Sequence, residues 1–226
     1  MLFDLDGVLV DSTAAVREVW RAFAVRHGMD EAFLDELHGR RMVDLITDLL
    51  PTATPATIAA ECDWLERLEV SSARATRAIA GASALTASLP EHRWAIATSG
   101  TSAVARARLA AGGIRLPTVL VTAEQVTTGK PSPEPYLEAA ARLGVPPARC
   151  VVIEDAPAGI LAARAAGAQV VAVATSHAPE QLRQADWLVG SVASIVRATR
   201  EHGHALGAPG LCLGLHDAVQ PPPTAA

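Results

Sequence analysis

Two aspartates stand one residue apart in the opening stretch MLFDLDGVLVDS, where an apolar run ends and Gly7 follows at once. If the run is a buried strand, Asp4, Asp6 and Gly7 fall where the chain leaves the sheet, and open parallel sheets bind ligands at the carboxyl ends of their strands. A simple turn is the other reading, since Asp and Gly are common turn residues. It explains Asp6 and Gly7 but leaves Asp4, set among Leu2, Phe3 and Leu5, without an obvious partner. Three further stretches place polar groups at element ends: RWAIATSG offers Thr98, Ser99 and Gly100, TTGKPSPEPY offers Lys130, and CVVIEDAPAG offers Glu154 and Asp155. Pro131 and Pro133 stiffen the loop around Lys130. Singly, these are a helix N-terminus, a surface lysine and the start of a turn. Gathered at one sheet edge, two carboxylates about 4 Å apart repel by roughly 4 kcal/mol at an effective dielectric of 20, so a cation belongs among them. Oxygen ligands without His or Cys suit Mg²⁺ rather than zinc, and Mg²⁺ commonly binds together with a phosphate. Lys130 and the amides and hydroxyls after Thr98 would then hold phosphate oxygens, which describes a phosphoryl-transfer site.

Positioning these groups is a task for the elements between them. Residues 13 to 27 carry Val16, Val19, Trp20 and Phe23 at helical spacing, with Asp11 or Ser12 as cap and Gly28 as stop. Helical patterns continue to about residue 80 with no convincing strand. From about residue 81 apolar strands alternate with helices: RWAIAT, TVLVT, RCVVIED and QVVAVAT are separated by TSAVARARLAAGG, PEPYLEAAARLG and PAGILAARAAG. That alternation predicts right-handed βαβ units and a parallel sheet. The economical organisation is a Rossmann-like α/β core of residues 1–11 and 81–200, interrupted after its first strand by a small all-helical unit, residues 12–80. Residues 201–226, rich in Gly, Pro and Ala and without periodicity, are expected to form a mobile tail. His202, His204 and His216 in that tail lack the companions of a zinc site and are read as solvated.

With 226 residues, half of them hydrophobic, the chain can bury a proper core. Its net charge of −5 and scattered Lys and Arg argue against a nucleic-acid groove or an anionic membrane surface, and favour a small soluble partner. Cys62, Cys150 and Cys212 are odd in number and show neither CxxC nor metal spacing, so a reducing cytoplasm is the default location. No apolar stretch approaches the roughly 20 residues that span a bilayer, and no signal-like start is present. The expected assembly is a monomer or weak dimer.

DLDG, the Thr98-Ser99 strand end, Lys130-Pro131 and Glu154-Asp155 with APAGI occur in the order and at the boundaries of the four motifs of the haloacid dehalogenase superfamily, which the chain resembles from residue 1 to about 198. The helical insertion after the first motif resembles the cap of one branch of that superfamily. The resemblance implies that Asp4 is a nucleophile forming an aspartyl phosphate, and that Asp6 protonates the leaving alcohol and then activates water. It also implies that Mg²⁺ is held by Asp4, the backbone carbonyl of Asp6 and Asp155, with Glu154 nearby through water. The acid–base partner Asp6 argues against carbon–halogen hydrolysis. Two departures stand out: Met1 lies only three residues before Asp4, a shorter lead than relatives have, and Ser132 stands where they often carry Asp.

The nearest rival is a sugar-phosphate mutase resembling β-phosphoglucomutase. Trp20 is shared, but Val16 stands where those mutases have a histidine and Met42 where they bind a second phosphate through arginine, so hydrolysis is favoured. A phosphonate hydrolase would need a cap lysine, and residues 12–80 contain none. A non-catalytic phosphate-binding protein would show replacement of Asp4, Asp6, Lys130 or Asp155, and none is replaced. LHGRRMVDL resembles the substrate loop of sugar- and glycerol-phosphate phosphatases in this branch. His38, Gly39 and one of Arg40 and Arg41 are therefore expected to touch a sugar or polyol, while the other arginine is solvated or pairs with an acid such as Asp44 or Asp48.

Overall fold

The computed structural model describes residues 1–37, 39–198, 212–215 and 218–219. Strand β1 (Leu2–Phe3) leads through a tight turn to β2 (Val10–Asp11), and helix α1 (Thr13–His27) follows, ended by Gly28 in the left-handed conformation. Helices α2 (Met42–Leu49) and α3 (Pro55–Ser72) come next. Pro55 and the Thr54 hydroxyl, which accepts from the Thr57 amide, start α3 in the usual way. The chain returns through β3 (Arg77–Ala78) and α4 (Ala82–Ser88) to β4 (Ala95–Ala97). It then alternates through α5 (Ser102–Ala111), β5 (Val119–Val121), α6 (Glu134–Leu143), β6 (Val151–Glu154), α7 (Pro157–Ala165) and β7 (Gln169–Val173). The last strands are β8 (Trp187–Val189), β9 (Ile195–Ala198) and β10 (Cys212–Leu215).

Six strands form a parallel sheet in the order β5-β4-β1-β6-β7-β8. The short first strand lies at its centre, with Leu2 opposite Ala95 and Val152 and Phe3 opposite Ile96 and Ile153. Two residues suffice because both edges are paired and both side chains are fully buried on opposite faces. Leu2 joins Val121, Tyr136, Val152 and Val170 on one side, while Phe3 joins Leu85, Trp94, Leu109 and Ile153 on the other. Full burial of such side chains contributes about 1.5–3 kcal/mol each. The helices inserted after β1 have their own apolar centre of Val19, Trp20, Phe23, Leu34, Leu45, Ile46 and Leu65.

Two features differ from the sequence reading. Between residues 12 and 80, expected to lack strands, β3 pairs antiparallel with β2, setting Val10 opposite Ala78 and Asp11 opposite Arg77 where the inserted helices leave and rejoin the core. Within the stretch read as a tail, β10 pairs antiparallel with β9, and Val219 bridges to Leu188. His202, His204 and His216 lie outside the described residues. Among the described residues no helix is long and apolar enough to cross a membrane.

Candidate functional site

The carboxyl ends of β1, β4 and β6 bring the expected groups together. Asp4 continues β1 by donating its amide to Ile153 O at 3.0 Å, and its buried carboxylate accepts from Lys130 Nζ at 2.5 Å. Lys130 also donates to Glu154 Oε1 at 2.7 Å and lies 5.0 Å over the Tyr136 ring. Burial would lower this ammonium, but Asp4 and Glu154 on either side hold it well above its ordinary range. Burial pushes Asp4 up to about 7 against the pull of Lys130. Asp155, raised by burial and then by Glu154 and Asp4, accepts a bond from the Ser176 hydroxyl.

One oxygen from each of Asp4, Glu154 and Asp155 lies within 4.8 Å of the others. Glu154 is fully occupied within this group. Its Oε1 accepts from Lys130 and from Tyr136 Oη at 2.8 Å, and its Oε2 accepts from the amides of Asp155 at 2.8 Å and Ala156 at 3.0 Å. A carboxylate has about four acceptor positions, so Glu154 holds Lys130 and the backbone leading to Asp155 rather than offering a free lone pair. Asp4 and Asp155 retain acceptor capacity. They are hard, buried, mutually repelling oxygen donors with no His or Cys among them, and that donor set fits a cation such as Mg²⁺.

Asp6 points elsewhere. Its Oδ1 accepts from Ser12 Oγ at 2.6 Å and its Oδ2 from Arg108 Nη1 at 2.8 Å. Arg108 also faces Glu69 at 3.3 Å, and the carboxyl of Glu69 is raised by burial against the pull of Arg108. Thr98, Ser99 and Gly100 follow β4, where Thr98 Oγ1 accepts from the Gly100 amide at 3.0 Å and Ser99 Oγ donates to Gly39 O at 2.8 Å. A cavity of about 70 Å³ runs between these groups and the inserted helices, and Asp4, Asp6, Thr98, Val16, Trp20 and Met42 are among its walls.

Of the residues expected in the substrate loop, Gly39 and Arg40 line the cavity, and Arg40 is paired with Asp48. Arg41 turns to the core. It makes a two-bonded pair with Asp44 at 2.7 and 2.8 Å and donates to Val126 O at 3.1 Å and Thr127 O at 3.0 Å. His38 lies outside the described residues. Sequence reasoning missed Arg108, Glu69, Ser12, Tyr136 and Ser176. Tyr136, the single tyrosine of the chain, was the one with a compositional signal.

Fold and site together define a capped α/β enzyme with an acidic, cation-ready centre at the carboxyl edge of its sheet. The model of a hydrolase family, the haloacid dehalogenase-like hydrolases, matches residues 1–167, and the chain belongs to that family. It is 41% identical over 208 residues to hexitol phosphatase A of Escherichia coli, covering 91% of this chain and 96% of the relative. It is 35% identical over 204 residues to glycerol-1-phosphate phosphohydrolase 2 of Saccharomyces cerevisiae, covering 81% and 77%. Among solved structures, a β-phosphoglucomutase from Clostridium difficile superposes with a TM-score of 0.76 at 25% identity, covering 85% of this chain and 90% of the mutase.

Proposed function

We propose that the protein is a phosphomonoesterase for a small phosphorylated sugar or polyol, with Asp4 as nucleophile and Asp6 as general acid and base. The observation that carries this reading is the division of labour between two acids of one cavity: Asp4 is buried against Lys130, whereas Asp6 is bonded separately by Ser12 and Arg108. A carboxylate oxygen of Asp4 attacks phosphorus, the ester P–O bond breaks, and Asp6 gives its proton to the departing oxygen. Asp6 then takes a proton from the water that attacks the aspartyl phosphate, releasing phosphate and restoring both acids. Lys130 and the Thr98–Gly100 turn hold the phosphate oxygens, and Glu154 with Tyr136 holds Lys130 in place. Mg²⁺ bound by Asp4, Asp155 and the Asp6 carbonyl would supply positive charge against the phosphate.

The substrate class draws on the relatives named for hexitol and glycerol 1-phosphate. A mutase must rebind a second phosphate at the cap, and the cavity offers Val16 and Met42 where the resemblance calls for His and Arg. The test is release of phosphate from an aryl phosphate and from a panel of sugar and polyol phosphates. Release is expected to require Mg²⁺, to stop with a chelator and to vanish in Asp4→Asn. Full activity of Asp4→Asn would overturn the mechanism, and faster appearance of glucose 6-phosphate than of free phosphate from β-glucose 1-phosphate would favour the mutase.

A further inference from the structure

Arg108 sits on α5 of the core with only 4% of its surface exposed, and it bridges two acids from different parts of the chain. Toward the core it donates to Asp6 Oδ2 at 2.8 Å, and toward the cap its Nη2 faces Glu69 Oε2, on α3, at 3.3 Å. Asp6 is thereby gripped on both oxygens, by Arg108 on one and by Ser12 on the other. Glu69 is held in turn by the Trp20 side chain, so the line runs from the cap interior to the acid that must deliver a proton. Stability alone is weak ground for such a line. A buried ion pair is commonly no more stabilising than apolar side chains of similar volume, and the buried Nε of Arg108 meets no acceptor among the described residues.

We infer that Arg108 positions Asp6 for proton transfer to the leaving alcohol, and that Glu69, reaching in from the cap, fixes Arg108 in place. The inference rests on the phosphatase reading above. A guanidinium can serve two carboxylates at once because its donors form a rigid planar fork. Rotation of the Asp6 carboxylate is then restrained by Ser12 and Arg108, and the direction of its proton is set by the packing of α3 on α5.

The test uses three esters that need the acid to different degrees: p-nitrophenyl phosphate, whose leaving group departs without a proton, and n-propyl phosphate and glycerol 1-phosphate, whose alkoxides require one. Arg108→Met alone would strand the Glu69 carboxylate, so it is combined with Glu69→Met. The double variant is expected to lower kcat/KM on both alkyl esters by about 10- to 100-fold, part of the gain general acid catalysis provides, and on the aryl ester by about 3-fold or less. Glu69→Gln, which keeps the Asp6–Arg108 bond, should show the same order with smaller losses, and it decides the matter if the double variant does not fold. Equal losses on all three esters would mark a structural role, a loss confined to glycerol 1-phosphate would mark hydroxyl recognition, and either result, or no loss, overturns the inference. A wild-type protein inert toward every ester would sink the phosphatase reading and this one with it.

Discussion

A Cβ added at Gly7 would lie 1.9 Å from Asp155 Oδ2, and the φ of +81° at this position is one that side chains rarely adopt. The glycine after the two aspartates is thus what lets the β1 turn approach the end of β6 this closely. Gly159 answers the same need on the other side, since a Cβ there would lie 1.6 Å from Glu154 Oε1. Gly7→Ala is therefore expected to displace Asp155, cost about 1–3 kcal/mol of stability through the strained backbone, and weaken Mg²⁺ binding along with activity. Urea unfolding and Mg²⁺ titration measure the two effects separately. A variant with unchanged affinity and stability would show that the approach of the two segments does not matter.

At the scale of elements, the start of α2 is tied to the loop that carries Lys130. Arg41 bonds Asp44 within its own helix and the carbonyls of Val126 and Thr127, a few residues ahead of Lys130, whereas Arg40 is paired with Asp48 on the cap. Arg41→Ala should lower kcat/KM on aryl and sugar phosphates alike, by roughly 1–3 kcal/mol, because the lysine loop loses its clamp. Arg40→Ala should act on sugar phosphates alone. Equal behaviour of the two variants across a substrate panel would contradict this division. The strands from RWAIAT to QVVAVAT are legible in sequence because parallel strands buried on both faces read as unbroken apolar runs, Asp4, Glu154 and Asp155 are legible because charges end such runs, and Lys130 is legible from the proline-stiffened loop around it. Strands β2 and β3, two residues each, hold no period to read. Arg108 escaped for another reason: in ARARLAA it resembles Arg106, which is exposed, and only contacts with residues distant in sequence, among them Asp6 and Glu69, distinguish the two.

For the whole molecule, the central strands carry the charge problem. Asp4 and Asp155 extend from β1 and β6, which lie between the two apolar clusters of the core, so the energy of these carboxylates is part of the folding energy. Without metal, Lys130 is the cation paired with Asp4 and Glu154 among the described residues. Burial pushes Asp4 from its ordinary 3.8 up to about 7, and burial with Glu154 and Asp4 pushes Asp155 in the same direction. A folded-state pKa above the unfolded value means that Asp4 holds its proton in the native state and has lost it in the unfolded chain between about pH 4 and 7. The contribution of Asp4 to the stability of the metal-free protein therefore falls as pH rises through that window, and the cost of its charged form is fully present above it. A bound cation replaces that proton, so its stabilising effect must grow as the proton is lost. Saturating Mg²⁺ should raise Tm at both pH 6 and pH 8, and by more at pH 8. Differential scanning calorimetry at the two pH values, with and without Mg²⁺, gives the four numbers required. An increment from Mg²⁺ that is equal at both, or larger at pH 6, would mean that protons and metal do not compete for Asp4 and Asp155.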